Sequence, residues 1–256
     1  MSADFKITII TPVFNGEKYL EETIQSVIGQ SYNNIEYIIV DGQSADNTLE
    51  IINAYRDRIS QVIVERDRSM YEAINRGIRA ASGDYMLVLN SDDCLANKNT
   101  IQEVVDFISQ NPGCLGYYGN LLKLEGESIS KRKVFQITRR NLLFTEHGTI
   151  IPHPALFVHR SSSLISVGLY DLSYRYASDF DYILRLLENG QVKYMNIYVS
   201  IFRIHQDSIT SSGKINEDRL DILNRYGDSQ PTLVKSFHYY LIWSTYKILN
   251  ILENRR

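Results

Sequence analysis

The sequence predicts an α/β fold, a mostly parallel central sheet flanked by helices with a C-terminal helical extension, on three observations. Short apolar runs alternate with segments of helical periodicity through the first 120 residues, the order that folds into parallel strands joined by crossover helices. The connections between them are short and polar. A length of 256 residues with 44% hydrophobic content supplies a core that needs no covalent staples.

Residues 6–11 open the alternation as a strand. Leu20, Ile24, Val27 and Ile28 then fall at offsets of four, seven and eight, one face of an amphipathic helix. A buried strand follows at 35–40. The turn Asp41-Gly42-Gln43-Ser44-Ala45-Asp46-Asn47-Thr48 offers Ser44 or Asp46 as cap for the helix carrying Leu49, Ile52 and Tyr55. Residues 61–65 give a third strand, 70–81 a helix that Gly83 stops, and 84–89 a fourth strand. Ile101, Val104, Val105 and Ile108 mark the next helix, ended by Asn111-Pro112-Gly113, and a strand near 115–118 closes this half.

After residue 120 the alternation weakens into a polar, basic stretch with Lys131-Arg132-Lys133 and Arg139-Arg140, then the loop Thr149-Ile150-Ile151-Pro152-His153-Pro154. Residues 179–187 read as a helix with Asp179 at its start, where the helix dipole favours a carboxylate by roughly 0.3–1 kcal/mol, so capping alone accounts for it. The segment 231–256 is apolar and aromatic, with Phe237, Tyr239, Tyr240, Leu241, Ile242, Trp243 and Tyr246 bracketed by Lys235 and Lys247. Its uncharged run falls short of the roughly 20 apolar residues that span a bilayer. It suits a helix at the bilayer interface or, equally, one docked on the domain or on the partner subunit of a homo-oligomer.

The net charge of −3 argues against a nucleic-acid binder. Cys94 and Cys114 have no metal-ligand spacing and no charged-then-apolar leader opens the chain, so a reduced, cytoplasmic chain is expected. Neither G-x-G-x-x-G nor a P-loop occurs, and no G-x-S-x-G elbow presents a nucleophile.

The most informative motif is Leu89-Asn90-Ser91-Asp92-Asp93, an acid pair at the end of a buried strand. Ligands of open α/β sheets bind beyond the carboxyl ends of the strands, and paired carboxylates suit Mg2+ or Mn2+ on a phosphorylated substrate. A solvated turn uses the same residue types.

Together, Ile9-Ile10-Thr11-Pro12-Val13-Phe14-Asn15, the 41–48 turn, Ala73-Ile74-Asn75-Arg76-Gly77, Gly83-Asp84-Tyr85 and the acid pair resemble the family 2 glycosyltransferases of GT-A fold, over roughly residues 5–210. The segments His153-Pro154-Ala155-Leu156-Phe157, Gly168-Leu169-Tyr170-Asp171 and 177–186 resemble the acceptor side of bacterial exopolysaccharide and O-antigen transferases. The resemblance implies a nucleotide-sugar-binding half at 1–120, an acceptor-binding half of the same domain at 121–213 and a C-terminal helical extension at 214–256. It implies inverting transfer from a nucleoside diphosphate sugar, with Mn2+ or Mg2+, to a saccharide or lipid-linked saccharide acceptor on the inner face of a membrane.

By that resemblance Asp41 meets the base, walled by Thr11, Pro12, Phe14 and Asn15, and Asn75 belongs to the nucleotide site. A carboxylate accepts from the imide N–H of uracil, so a UDP-sugar is the expected donor. Asp92 faces the ribose or the metal, Asp93 binds the metal, and His205 approaches the metal or diphosphate, unless it is a plain surface histidine. Asp179 stands as catalytic base, with Asp181, on another helix face, held as structural. Arg203 or Arg76 is a candidate for phosphate, and His153 for the acceptor.

Two positions depart from the pattern. Asn90 replaces the first acid of an Asp-x-Asp motif, and Ile74 replaces an arginine, whose contact is left to Arg68 or Tyr71. The competing functions are a non-catalytic nucleotide-sugar-binding partner subunit and a sugar nucleotidyltransferase, the latter lacking its glycine-rich, basic loop after the first strand.

Overall fold

A computed structural model describes residues 4–143, 151–205 and 215–226, and within the tail residues 244, 247, 248, 250–252 and 254. The expected segment around Trp243, with Thr149, Ile150 and all of 231–243, lies outside the described residues.

β1 (Ile7–Val13) is buried at all seven positions, the mark of a central strand covered on both faces. α1 (Leu20–Ile28) buries Leu20, Thr23, Ile24 and Val27 and returns the chain to β2 (Ile35–Asp41), parallel to β1. α2 (Thr48–Ala54) follows. Neither expected residue is the cap: the N-cap position is Asn47, without a side-chain cap, while Asp46 Oδ1 accepts the Thr48 N–H at 3.0 Å from the turn before it and Ser44 turns to Asp41. β3 (Gln61–Val64) pairs parallel with β2. α3 (Met70–Ala80) is capped by Ser69, whose hydroxyl accepts from the Glu72 N–H. It leads to β4 (Tyr85–Val88), which pairs with β1 on the side away from β2.

The chain thus reverses direction across the sheet at β1, and the gap between the carboxyl ends of β1 and β4 is the topological switch point of the parallel half. Gly83 sits three residues past the end of α3, where a Cβ would lie 2.7 Å from the Lys6 carbonyl oxygen, against β1.

β5 (Cys94–Leu95) and α4 (Thr100–Gln110) precede β6 (Gly116–Glu125). The expected strand at 115–118 therefore continues, and at Gly126, φ +59°, it folds back into β7 (Ser128–Arg132). The polar stretch after residue 120 is an edge hairpin, and the 120/121 division falls inside β6. α5 (Arg139–Leu143), a short turn at His153–Ala155, β8 (Leu156–His159), α6 (Arg160–Ser166), α7 (Ser178–Asn189), β9 (Val192–Ile204) and α8 (Ile215–Tyr226) complete the described elements. Among the described residues the sheet has nine strands, ordered β3-β2-β1-β4-β8-β6-β9-β5 with β7 on β6. β8 runs antiparallel between β4 and β6, and β9 runs parallel to β6.

Strand alternation divides the core. Ile10, Ile38 and Val40 face α3, the 168–174 loop and α7, whereas Ile9, Ile39 and Leu87 face α1 and α4. The tail residues lie along β7. Asn250 donates to the Lys133 carbonyl and accepts its N–H at 3.1 and 2.8 Å, and Asn254 does the same to Lys131 at 2.9 and 2.7 Å. One helical turn, about 6 Å, matches two strand residues, about 6.8 Å, so two asparagines close the polar edge of the sheet. Among the described residues no helix is long and apolar enough to cross a membrane.

Candidate active site

Three loops meet at the switch point. After β1 the chain reaches Phe14, 66% exposed, and Asn15 in the left-handed region at φ +51°, a conformation asparagine tolerates better than most residues. Asn15 N–H donates to Ser44 Oγ at 2.8 Å and its side-chain oxygen accepts the Ala45 N–H at 2.9 Å. Ser44 in turn gives its N–H and hydroxyl to the two oxygens of Asp41 at 2.9 and 2.6 Å. Asp41 is fully buried at the end of β2, so the loop is drawn down onto it. Gly42 leaves a flat strip of backbone, because a Cβ would stand 3.3 Å from the Phe14 ring and 3.2 Å from Asp67 Oδ2. Thr11 and Pro12 are buried within β1, and Thr11 Oγ1 accepts the Tyr37 hydroxyl.

The third loop follows β4, and its two acids have separate surroundings. Asp93 is fully buried, its oxygens accepting the Asn90 amide and the Arg203 backbone N–H, both at 3.1 Å. Burial first, and then the charge of Asp92, push the Asp93 carboxyl well above the ordinary range, against the pull of Arg203 and Asn90. Asp92 stays partly exposed and meets His205, Oδ2 to Nε2 at 2.8 Å, across from the end of β9. The Asn90 side-chain oxygen is buried beside them with no partner among the described residues, an acceptor left for a cation or a hydroxyl.

The fit to a divalent ion follows. Among the described residues no three His, Cys, Asp or Glu side chains gather around one point. A carboxylate, an imidazole and an amide oxygen are two or three donors of the kind Mn2+ accepts, and such ions commonly take the rest of their shell from substrate phosphates and water. The residues present fit an ion shared with a diphosphate, with Asp92 and His205 as its side of the shell.

Arg203 is committed elsewhere: its guanidinium lies 4.3 Å over the Tyr19 ring and bonds the Asp92 carbonyl and Glu22 at 3.2 and 2.5 Å. Arg76 is likewise held by Glu65, Asp67 and Glu72. Neither guanidinium is held for a phosphate. Arg68 lies in solvent, 95% exposed along its side chain.

The second cluster gathers at the start of α7. Asp179 Oδ1 accepts the Tyr71 hydroxyl at 3.0 Å. Tyr71 belongs to the first turn of α3, which begins beyond the carboxyl end of β3, so Asp179 is brought to the same edge of the sheet as Asp41 and Asp92. Asp181 points elsewhere, accepting Arg185 Nε at 2.8 Å and the Tyr226 hydroxyl at 2.8 Å. Asn75, expected at the nucleotide, is buried and bonded twice to the Tyr170 backbone at 2.9 Å. His153 is also turned inward, its Nε2 sharing a 2.7 Å hydrogen bond with Tyr170, and burial pushes it toward the neutral form.

Sequence reasoning did not find Ser44 as the clasp of Asp41, nor Tyr19 and Glu22 as the seat of Arg203. Ser44 carried a signal, three residues past an acid in a turn. Tyr19 and Glu22 carried none, because their partner is about 180 residues away.

Comparison with known proteins gives these geometries their family. The model of the family described as Glycosyl transferase family 2 matches residues 8–170. A PGL/p-HBAD biosynthesis glycosyltransferase of Mycobacterium bovis is 29% identical over 200 residues, 76% of this chain and 75% of that protein. The crystal structure of S. aureus TarS 1-349 in complex with UDP-GlcNAc superposes with TM-score 0.72 at 18% identity, over 93% of this chain and 71% of that one. The mannosyltransferase PcManGT from Pyrobaculum calidifontis, in complex with GDP-Man and Mn2+, gives 0.67 at 16% identity, over 93% and 69%. The chain's own fold is the GT-A type, and with nearly two thirds of its length inside the family model the chain belongs to glycosyl transferase family 2 and is a glycosyltransferase.

Proposed function

We propose that this glycosyltransferase is inverting and metal-dependent, and that it moves a sugar from a nucleoside diphosphate sugar, a UDP-sugar, to a saccharide or lipid-linked saccharide of a surface polysaccharide. The observation that carries the reading is the 2.8 Å pairing of Asp92 with His205 at the β1/β4 switch point, beside the unpartnered oxygen of Asn90. In this reading the metal ligand is Asp92, which is partly exposed, rather than Asp93, which is fully buried and holds Asn90 and Arg203.

The base lies over the exposed Phe14 ring, with Asp41 behind it and Asn15 holding the wall in place. Asn90 offers its free oxygen to a ribose hydroxyl or to the ion. A bound divalent ion supplies charge neutralisation for the departing diphosphate. Asp179 takes the proton from the acceptor hydroxyl while that oxygen bonds the anomeric carbon, and the bond to the diphosphate breaks with its electron pair leaving on the phosphate oxygen. Asn75, His153 and Asp181 serve by holding the loop and helix that carry Asp179. An acceptor presented at the inner face of a membrane is supported by the tail, where Ile248, Ile251 and Leu252 are exposed while Asn250 and Asn254 are docked.

The test is a thermal-shift panel of UDP, GDP, CDP and dTDP, each with and without Mn2+. A ligand at a hundredfold excess over its Kd adds about 2.7 kcal/mol of stability. A Mn2+-dependent shift with UDP, lost in Asp92→Asn, is the expected result. Absence of a shift with every nucleotide would overturn the donor-site reading.

A further inference from the structure

We propose that Tyr71 is a positioning residue for the reaction: its hydroxyl holds Oδ1 of Asp179 and leaves Oδ2 to meet the acceptor hydroxyl. The inference rests on the reading of Asp179 as the base. The contact itself is a 3.0 Å hydrogen bond from a phenol that is 2% exposed.

The phenol has little freedom to leave. Its ring stacks on Tyr170 at 5.7 Å and 15°, and Tyr170 stacks on Tyr182 of α7 at 4.3 Å and 9°. One turn along α3 from Tyr71, Asn75 grips the Tyr170 backbone through both amide atoms. His153 fixes the far end of Tyr170 through its hydroxyl. On the other side, the first residues leading into α7 are held by Asp218 of α8, whose Oδ2 accepts the Tyr176 and Ala177 N–H groups at 2.5 and 3.3 Å. Donor and acceptor are therefore mounted on one packed block. A misplacement of about 1 Å can cost a reaction about 100-fold, so such rigidity matters.

Burial and the nearby charge of Asp179 push the Tyr71 hydroxyl well above its ordinary range, so it stays protonated and donating wherever an enzyme works. A donor to a carboxylate favours its charged form and fixes its orientation. Four titratable groups face Asp179 from four elements: Tyr71 of α3, His153 of the turn before β8, Tyr170 of the loop before α7 and Arg219 of α8. Burial lowers Arg219 to about 10, which leaves it cationic at neutral pH, and drives His153 toward neutrality.

Tyr71→Phe removes the hydroxyl and keeps the ring stack. The direct readout is the chemical shift of the Asp179 carboxyl carbon by NMR at neutral pH in the full chain, its signal assigned with Asp179→Asn. The signal is expected to move in Tyr71→Phe, which removes the donor to Oδ1, and to stay in place in Tyr170→Phe, which loses a hydroxyl that does not touch Asp179. An unmoved signal in Tyr71→Phe overturns the positioning role. UDP release from UDP-GlcNAc, UDP-glucose and UDP-galactose with Mn2+, water standing in for the acceptor, tests the base separately. Tyr71→Phe should lower kcat about tenfold at unchanged KM. Wild-type release by Asp179→Asn would overturn the base reading alone, since the NMR shift reports the hydrogen bond whatever the carboxylate does.

Discussion

Asp179 and Asp181 stand two residues apart in the first turn of α7, and their carboxylates are held by different neighbours. Asp179 is partly exposed and meets Tyr71, whereas Asp181 is 1% exposed and is saturated by Arg185 and Tyr226. A 200° rotation between the two positions, at about 100° per residue, sends one to the sheet edge and the other into the packing of α7 against α8.

Substitution should separate the two roles. Asp179→Asn is expected to cut turnover by about 10²–10⁴, equivalent to about 3–5 kcal/mol in the barrier, with an unchanged melting temperature. Asp181→Asn should cost about 2–3 kcal/mol of stability, because Arg185 loses its charge partner yet keeps the carbonyls of Val167 and Leu169. Paired melting curves and turnover measurements on the two variants check both.

At the acid pair the expected order is Asp92 before Asp93. Asp92→Asn and His205→Ala should each weaken Mn2+ binding in the presence of UDP by about 10–100-fold while leaving the fold intact. Asp93→Ala should act on stability instead, by about 2–3 kcal/mol, since it strands the Arg203 N–H and the Asn90 amide inside the loop. Manganese titration followed by electron paramagnetic resonance, beside urea unfolding, distinguishes the two effects.

The tail asparagines predict a change in association state. Asn250→Ala with Asn254→Ala removes four hydrogen bonds to Lys131 and Lys133 and uncovers backbone groups of an edge strand. Light scattering after gel filtration should show concentration-dependent self-association of the double variant at concentrations where the parent chain is unchanged.

Acid should weaken the fold through Glu36. Burial raises its carboxyl, but the Ser82 N–H, the hydroxyls of Ser82 and Thr8 and the ammonium of Lys6 together outweigh that and bring it from 4.5 to about 2. A carboxylate lowered on folding contributes stability that is complete above its unfolded value and lost as pH falls through its folded one. Between about pH 4.5 and 2 the parent chain should lose stability that Glu36→Gln never had, which melting curves across that range would show as a flatter profile for the variant.

The parallel half was legible because β1, β2 and β4 are largely buried and read as mainly apolar runs, as at Ile7–Val13, while the more exposed β3 still shows Val62-Ile63-Val64. β7, β8 and β9 were not: β7 is an exposed hairpin arm and β9 is half-buried with no regular alternation, so neither carries a period to read. The site followed the same rule. Asp41, Asp92 and Asp179 could be placed because each stands at the boundary of an element or in the short loop between two. Which oxygen faces the ligand could not, because adjacent loop residues such as Asp92 and Asp93 have no periodicity that orients them. Asn75 and His153 were assigned outward roles and are turned to Tyr170, a partner 95 residues from Asn75 that no local pattern announces.

The most direct test of the account is manganese anomalous scattering from crystals of the chain grown with UDP and Mn2+. The predicted result is one ion between the diphosphate and the side chains of Asp92 and His205, with uracil against Phe14 and Asp41. UDP bound with the ion on Asp93, or with no ion beside the diphosphate, would contradict it.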